Sequence, residues 1–124
     1  MTNAEFLNMN FGTNYKQWMK CRWPYSYDLK VWMLYFDNNI RLGWKNEVLD
    51  NTITEIFVDS LDRQIMSHRY FEETYRLVVD KAQNYKILGV YKYSKEDSNI
   101  RTKRVWKKVA KSLDEFIDQK GENN

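Results

Sequence analysis

The chain has 124 residues, a length typical of one domain, and a formal net charge of +3. A single cysteine excludes an intramolecular disulfide, and a single histidine leaves a zinc site short of nitrogen and sulfur ligands unless carboxylates supply the rest. The longest apolar run, Val31 to Phe36, is six residues, against the ~20 that a membrane-spanning helix needs. We therefore expect a single domain over 1–120 with a frayed tail over 121–124, holding no metal or cofactor.

The start of the chain lacks the basic and apolar regions of a signal peptide, which together with the lone cysteine predicts a cytoplasmic protein. Short helices are predicted over 3–9 and 14–21, the second with Asn14 as its N-cap. Bulky residues over 29–36, turn residues after them and a second run over 40–44 predict a β-hairpin, in which Trp32 and Trp44 would face each other. A turn at 50–51 and a β-branched segment over 52–58 predict another strand.

From residue 60 the apolar spacing becomes helical, and a helix is predicted either continuously over 60–83 or from about Ser67, with 71–83 as its firmer half. His68 lies on this apolar stripe, where we interpret it as a hydrogen-bonded, half-buried side chain. Residues 85–93 alternate as a strand, and Gly89 would permit a bulge. The stretch 101–111 fits a helix or a strand, but the capping box that begins at Ser112 favours a strand over 102–110 and a short helix to about 119.

These elements sum to an α+β domain. We expect about five mostly antiparallel strands, forming a sheet or a partly closed barrel, with one main helix and short terminal helices. The strands 85–93 and 102–110 would pair as a hairpin.

Positive charge is concentrated in that hairpin. The segment 86–111 holds nine Lys or Arg against two acids, a local charge of 9 − 2 = +7, with tyrosines and a tryptophan among them. Cations beside flat rings suit a polyanion with stackable bases. The predicted nucleic-acid-binding residues are Tyr91, Arg101, Lys103, Arg104, Trp106, Lys107, Lys108 and Lys111. In a strand, Arg104, Trp106 and Lys108 would share one face and the remaining cations of 101–107 the other.

The run Leu88 to Ser98, followed by Arg104 to Ala110, resembles the strand–loop–strand segments of small bacterial restriction and defence modules of the PUA-like group. The resemblance covers residues 85–110. It implies a barrel-like sheet that binds nucleic acid, or a base flipped out of a duplex, through an aromatic pocket.

Three functions follow from these patterns. The first is a non-enzymatic nucleic-acid-binding domain. A second aromatic stretch, residues 15–27, alternates rings with cations, and its Trp23 and Tyr25 are further stacking or interface residues. The second is a protein-binding inhibitor or adaptor of phage type, similar to anti-CRISPR proteins, in which surplus rings act as anchors. The third is a magnesium-dependent nuclease, for which Asp28 and Lys30 would need Glu5, Glu47 or Asp50 as a second acid. Oligomeric state is open.

Overall fold

A computed structural model describes residues 1–40, 43–57, 75–98 and 103–122. Its elements, in chain order, are α1 (Asn3–Phe11), β1 (Arg22–Pro24), β2 (Leu29–Leu34), β3 (Trp44–Leu49), β4 (Thr52–Phe57), β5 (Tyr75–Asp80), a 3-10 turn (Lys81–Gln83), β6 (Lys86–Tyr93), β7 (Lys103–Ala110) and α2 (Leu113–Glu122). Neither helix in these ranges has the length and apolar character required to cross a membrane.

The seven described strands form one mixed sheet in the order β1-β2-β5-β6-β7-β4-β3. Five of the six strand pairs are antiparallel, and β2 with β5 is the parallel one. The α+β class is confirmed, with seven strands where about five were expected. Within the described residues, β1 and β3 are the two edge strands and do not pair with each other, so the sheet is open.

Both helices pack on one side of the sheet, which we call the first face. Thr2 starts α1 by accepting a hydrogen bond from the Glu5 backbone at 3.1 Å, and Gly12 ends it at φ 67°. The buried core of this face comprises Phe6, Leu7, Leu29, Val31, Met33, Leu77, Val79, Val90, Ala110 and Phe116. Their burial against the helices removes a continuous apolar layer from water, which is the main stabilising contribution to such a domain.

The opposite side, the second face, holds a separate buried cluster that is dominated by rings. Its members are Trp32, Ile53, Val78, Tyr91, Tyr93 and Trp106. Glu55 and Arg76 are buried on the same face at 6% and 3% exposure, and Asp80 is buried at the end of β5 at 1%. Charged residues are rarely buried without partners, so this face is where a functional site is to be sought.

The C-terminal third agrees closely with the sequence prediction. Strands β6 and β7 pair as an antiparallel hairpin, and a register shift beside Gly89, at φ 138°, is the predicted irregularity. Helix α2 begins after Ser112, whose hydroxyl accepts from the Glu115 backbone at 3.1 Å. The Glu115 carboxylate accepts in turn from the Lys111 backbone at 2.8 Å, so both ends of the capping motif are used.

The predicted helix over 14–21 is wrong, because that segment is irregular in the structure. Side chains of α1 take the hydrogen bonds that a helix would have used. The Asn8 side chain accepts from the Tyr15 backbone at 2.9 Å, and the Asn3 amide donates to the Trp18 carbonyl at 3.2 Å. Such side-chain bonds compete directly with local helix formation.

The predicted hairpin over 29–44 is also wrong, because β2 pairs with β1 and β5 whereas β3 pairs with β4. Trp32 and Trp44 therefore do not face each other. The ring of Trp32 contacts Trp106 at 5.2 Å between centroids, and Trp44 contacts Phe57 at 5.0 Å. The expected turn at 50–51 is confirmed as the β3–β4 connection, with Asp50 at φ 53°.

The predicted helix over 60–83 is wrong for its described part, since residues 75–80 form β5. Asp80 ends this strand, because its carboxylate accepts from the Phe36 and Ala82 backbones at 3.2 and 2.9 Å. The remainder of that prediction, with His68, lies outside the described residues, as does the end of the tail at 123–124.

Candidate nucleic-acid interface

The predicted binding residues on β7 alternate between the two faces, as a strand requires. Lys103 and Lys107 lie on the first face, where Lys107 is opposite Lys92 of β6. Arg104, Trp106 and Lys108 lie on the second face. Arg101 lies outside the described residues, and Lys111 follows the strand with an exposed side chain.

Exposed cations gather where β6 and β7 pair. Lys92, Lys103, Lys107 and Lys111 are all exposed, and we call them the hairpin lysines. Only one of them, Lys107, makes an ion pair within the described part of the chain, with Asp97 at 2.8 Å. That hydrogen-bonded pair raises the pKa of the Lys107 ammonium and lowers the pKa of the Asp97 carboxyl. The strand pair therefore offers a cationic surface with one built-in counter-charge.

The rings of the hairpin are buried rather than presented to solvent. Trp106 is 1% exposed and Tyr91 is 0% exposed. The Trp106 indole donates a hydrogen bond to the Glu55 carboxylate at 2.9 Å. In this conformation neither ring offers a surface on which a base could stack, so their predicted stacking role would require the cluster to open.

Glu55 is the acidic centre of the second face. Burial raises the pKa of its carboxyl, and the nearby Arg104 guanidinium and the Trp106 hydrogen bond oppose that rise. Arg104 lies 3.9 Å from the Glu55 carboxylate and stacks 4.1 Å from the centroid of the Trp44 ring. Strand β4 brings Glu55 opposite Arg104 by register, so the pair follows from the sheet order.

Arg76 is held against two tryptophans of the same face. Its guanidinium carbon lies 5.4 Å from the Trp106 ring and 6.0 Å from the Trp32 ring, which is cation–π distance. In the sheet, Arg76 is opposite Tyr91, and Tyr91 is opposite Lys108. One row of the sheet thus places Tyr91 between two cationic residues.

The Tyr91 hydroxyl has an unusual position. It is buried, and within the described part of the chain it has no hydrogen-bond partner. Burial raises the pKa of this phenol. The ammonium of Lys108 lies 5.6 Å from the centroid of the Tyr91 ring. A buried hydroxyl without a partner is uncommon in folded proteins and marks a position worth testing.

The second aromatic stretch is divided between core and surface. Trp23 is half-buried, packs 5.0 Å from the Phe11 ring and donates to the Tyr15 hydroxyl at 3.0 Å. Tyr25 is 40% exposed, and Tyr27 beyond it is 91% exposed. Of the two predicted interface rings, Tyr25 is thus the more accessible.

The acids considered for a nuclease lie on different elements of the fold. Asp28 pairs with Lys120 of α2 and accepts from the Ser26 hydroxyl at 3.1 Å. Glu5 lies in α1, and Glu47 is in β3, where it pairs with Lys45 at 3.2 Å. In ranges 1–40, 43–57, 75–98 and 103–122, no group of three or more His, Cys, Asp or Glu side chains is arranged to hold a metal ion.

Sequence reasoning missed Glu55 and Arg76 as members of the second-face cluster. The signal for Glu55 was present, because it lies in phase with Ile53 and Phe57, the apolar positions of an alternating strand. Arg76 had no such signal, since the strand around it has a nearly continuous apolar sequence that equally fits a helix.

Comparison with known proteins finds a likeness among solved structures. No family model and no curated protein matches the chain. Among solved structures, the chain is similar to the 5-hydroxymethylcytosine-specific restriction enzyme AbaSI, with a TM-score of 0.59 and 25% sequence identity. The match covers 89% of this chain but only 37% of that protein. The similarity of residues 85–110 to restriction-type modules is thereby supported at the level of the fold.

Proposed function

We propose that this chain is a non-enzymatic nucleic-acid-binding module that contacts phosphates through its β6–β7 hairpin. The observation that supports this most is the set of hairpin lysines, four exposed cations along the β6–β7 hairpin and just beyond its end. Arg104 and Lys108, half-buried on the second face, extend the positive charge toward the ring cluster. Clustered lysines and arginines supply most of the affinity in phosphate recognition.

The likeness to AbaSI suggests the class of nucleic acid. That enzyme is named as specific for 5-hydroxymethylcytosine, and a module of the same fold suits the task of binding duplex DNA with a modified cytosine. Because the chain corresponds to little more than a third of AbaSI, the proposal covers binding alone and assigns no cleavage activity to this chain.

The ring cluster supports binding of a single base. Aromatic rings are the common platform for bases that have left the stack, and a polar group beside them fixes the orientation. Once the cluster opens, Trp32 and Trp106 would supply rings on the second face, and Glu55 would supply a carboxyl group there. The phosphates beside that base would contact Arg104 and Lys108, which lie on the same face of the sheet as the rings.

The test is fluorescence anisotropy with labelled duplex DNA, single-stranded DNA and RNA. A Lys103→Glu/Lys107→Glu variant should lose most of the binding, because both lysines are exposed on the hairpin. The matched control is Lys16→Glu/Lys20→Glu, which makes the same change of net charge at exposed positions before β1. Equal losses in both variants would mean that net charge alone drives binding, and the hairpin would lose its assigned role.

A protein partner is the second candidate, favoured by exposed apolar side chains near the start of the chain. Met9 is 73% exposed, Met19 85% and Tyr27 91%. Exposed large apolar residues mark many protein-binding surfaces. A stoichiometric partner captured from nuclease-treated lysate, and lost on Met19→Ser/Tyr27→Ser substitution, would support this candidate over nucleic-acid binding.

A further inference from the structure

The hydroxyl of Tyr91 is a polar group in an apolar, ring-lined part of the second face. The residue is 0% exposed in the middle of β6, and its hydroxyl oxygen has no hydrogen-bond partner among the described residues. Leaving such a group unpaired costs folding free energy, and phenylalanine would fill nearly the same space without that cost. A tyrosine at this position is therefore explained better by a ligand than by packing.

The surroundings of Tyr91 define what that ligand must be. Arg76 and Lys108 are its neighbours in the same row of the sheet, so the row carries two positive charges. The Trp32 and Trp106 rings lie against Arg76 on the same face. A planar group that bears a partly negative oxygen matches both features, because the rings suit a flat face and the cations suit the oxygen.

Gly89 brings Lys108 into this row. A Cβ atom added at Gly89 would lie 3.0 Å from the Lys108 side chain and 2.8 Å from the Ala110 carbonyl oxygen, so β7 approaches β6 here more closely than another residue would allow. The Lys108 stem consequently lies over Gly89, and its ammonium lies near the Tyr91 ring. Of the three residues in the row, Lys108 is the most exposed and is the part that must move to admit a ligand.

We infer that the Tyr91 hydroxyl donates a hydrogen bond to an acceptor oxygen on an unstacked pyrimidine base. The oxygen is either the ring carbonyl or the hydroxyl of a 5-hydroxymethyl substituent. This inference rests on the proposed function and adds the residue that determines specificity. A phosphate is the poorer ligand at this position, because a full charge would have to leave water for a ring-lined interior.

The experiment measures anisotropy with three duplexes that differ only at one central base, which is cytosine, 5-methylcytosine or 5-hydroxymethylcytosine. Tyr91→Phe should weaken binding of the preferred duplex about tenfold, the effect of one buried hydrogen bond. A loss confined to the hydroxymethyl duplex assigns the contact to the substituent, whereas an equal loss on all three assigns it to the ring carbonyl.

The matched control is Tyr93→Phe, which removes a hydroxyl two residues away on the same strand and face, where the Tyr93 ring packs against Trp106. Its affinity should match that of the unmodified protein. If Tyr91→Phe binds every duplex normally while the Lys103→Glu/Lys107→Glu variant does not, the inference fails and the proposed function stands. If the unmodified protein binds no duplex, both fail. Equal losses in the two phenylalanine variants would overturn the inference too.

Discussion

Removing the Tyr91 hydroxyl should stabilise the unliganded protein. The hydroxyl is buried and has no partner within the described part of the chain. An unsatisfied buried polar group costs about 1–3 kcal/mol, and Tyr91→Phe removes that cost while keeping the ring in its cluster. We expect the free energy of unfolding to rise by about 1 kcal/mol, which for a domain of this length is a shift in Tm of about 4 °C.

The assay is urea unfolding followed by tryptophan fluorescence, with Tyr93→Phe as the matched control. The Tyr93 hydroxyl is not among the buried polar groups that lack a partner in the described residues, so removing it should be neutral or destabilising. If Tyr91→Phe lowers the free energy of unfolding by 1 kcal/mol or more, the hydroxyl is satisfied in the folded protein and the reasoning is refuted. A variant that is more stable but binds less well would show stability given up for function.

Three further substitutions test other parts of the structure. Burial raises the pKa of Glu55 above its usual value near 4.5, so its contribution to stability is full below that pH and is lost as the pH rises toward the folded-state pKa. The free energy of unfolding of the unmodified protein, relative to that of Glu55→Gln, should therefore fall by up to ~1.4 kcal/mol per pH unit between about pH 4 and 8. A relative free energy that stays constant over this range would contradict the raised pKa. Asp97→Asn removes the counter-charge of Lys107 and should tighten DNA binding in anisotropy titrations, so unchanged affinity would place Lys107 away from phosphate. Gly89→Ala should lower stability by about 1–3 kcal/mol in urea unfolding, because φ is 138° and the added Cβ has no room; a stable variant would contradict the close approach of β7.

The C-terminal third could be predicted because its signals are local. Alternation in 86–93, the capping motif at Ser112 and the glycine at the bulge each specify structure within a few residues. The pairing of β2 could not be predicted in the same way, since its parallel partner β5 lies far along the chain and the nearby turn residues favoured a hairpin. Non-local pairing of this kind leaves no mark in a short window of sequence.

The candidate site was predicted only in part. The cations of β7 and their alternation between faces followed from the strand, but the burial of Trp106 and Tyr91 did not. Burial there depends on β4 and β5 lying beside the hairpin, which brings Glu55 and Arg76 next to the rings. A glutamate at an inward position of an alternating strand, as in β4, predicts a partner of opposite charge beside it.

The most direct test of the central claim is the salt dependence of duplex DNA binding. Four phosphate contacts by the hairpin lysines predict a slope of log affinity against log salt of about −3.6, which is a loss of about 150-fold between 50 and 200 mM salt. Lys103→Glu/Lys107→Glu should reduce that slope by about 2, and Lys16→Glu/Lys20→Glu should leave it unchanged. Affinity that stays constant across this salt range, or a slope unaffected by loss of the hairpin lysines, would contradict the account.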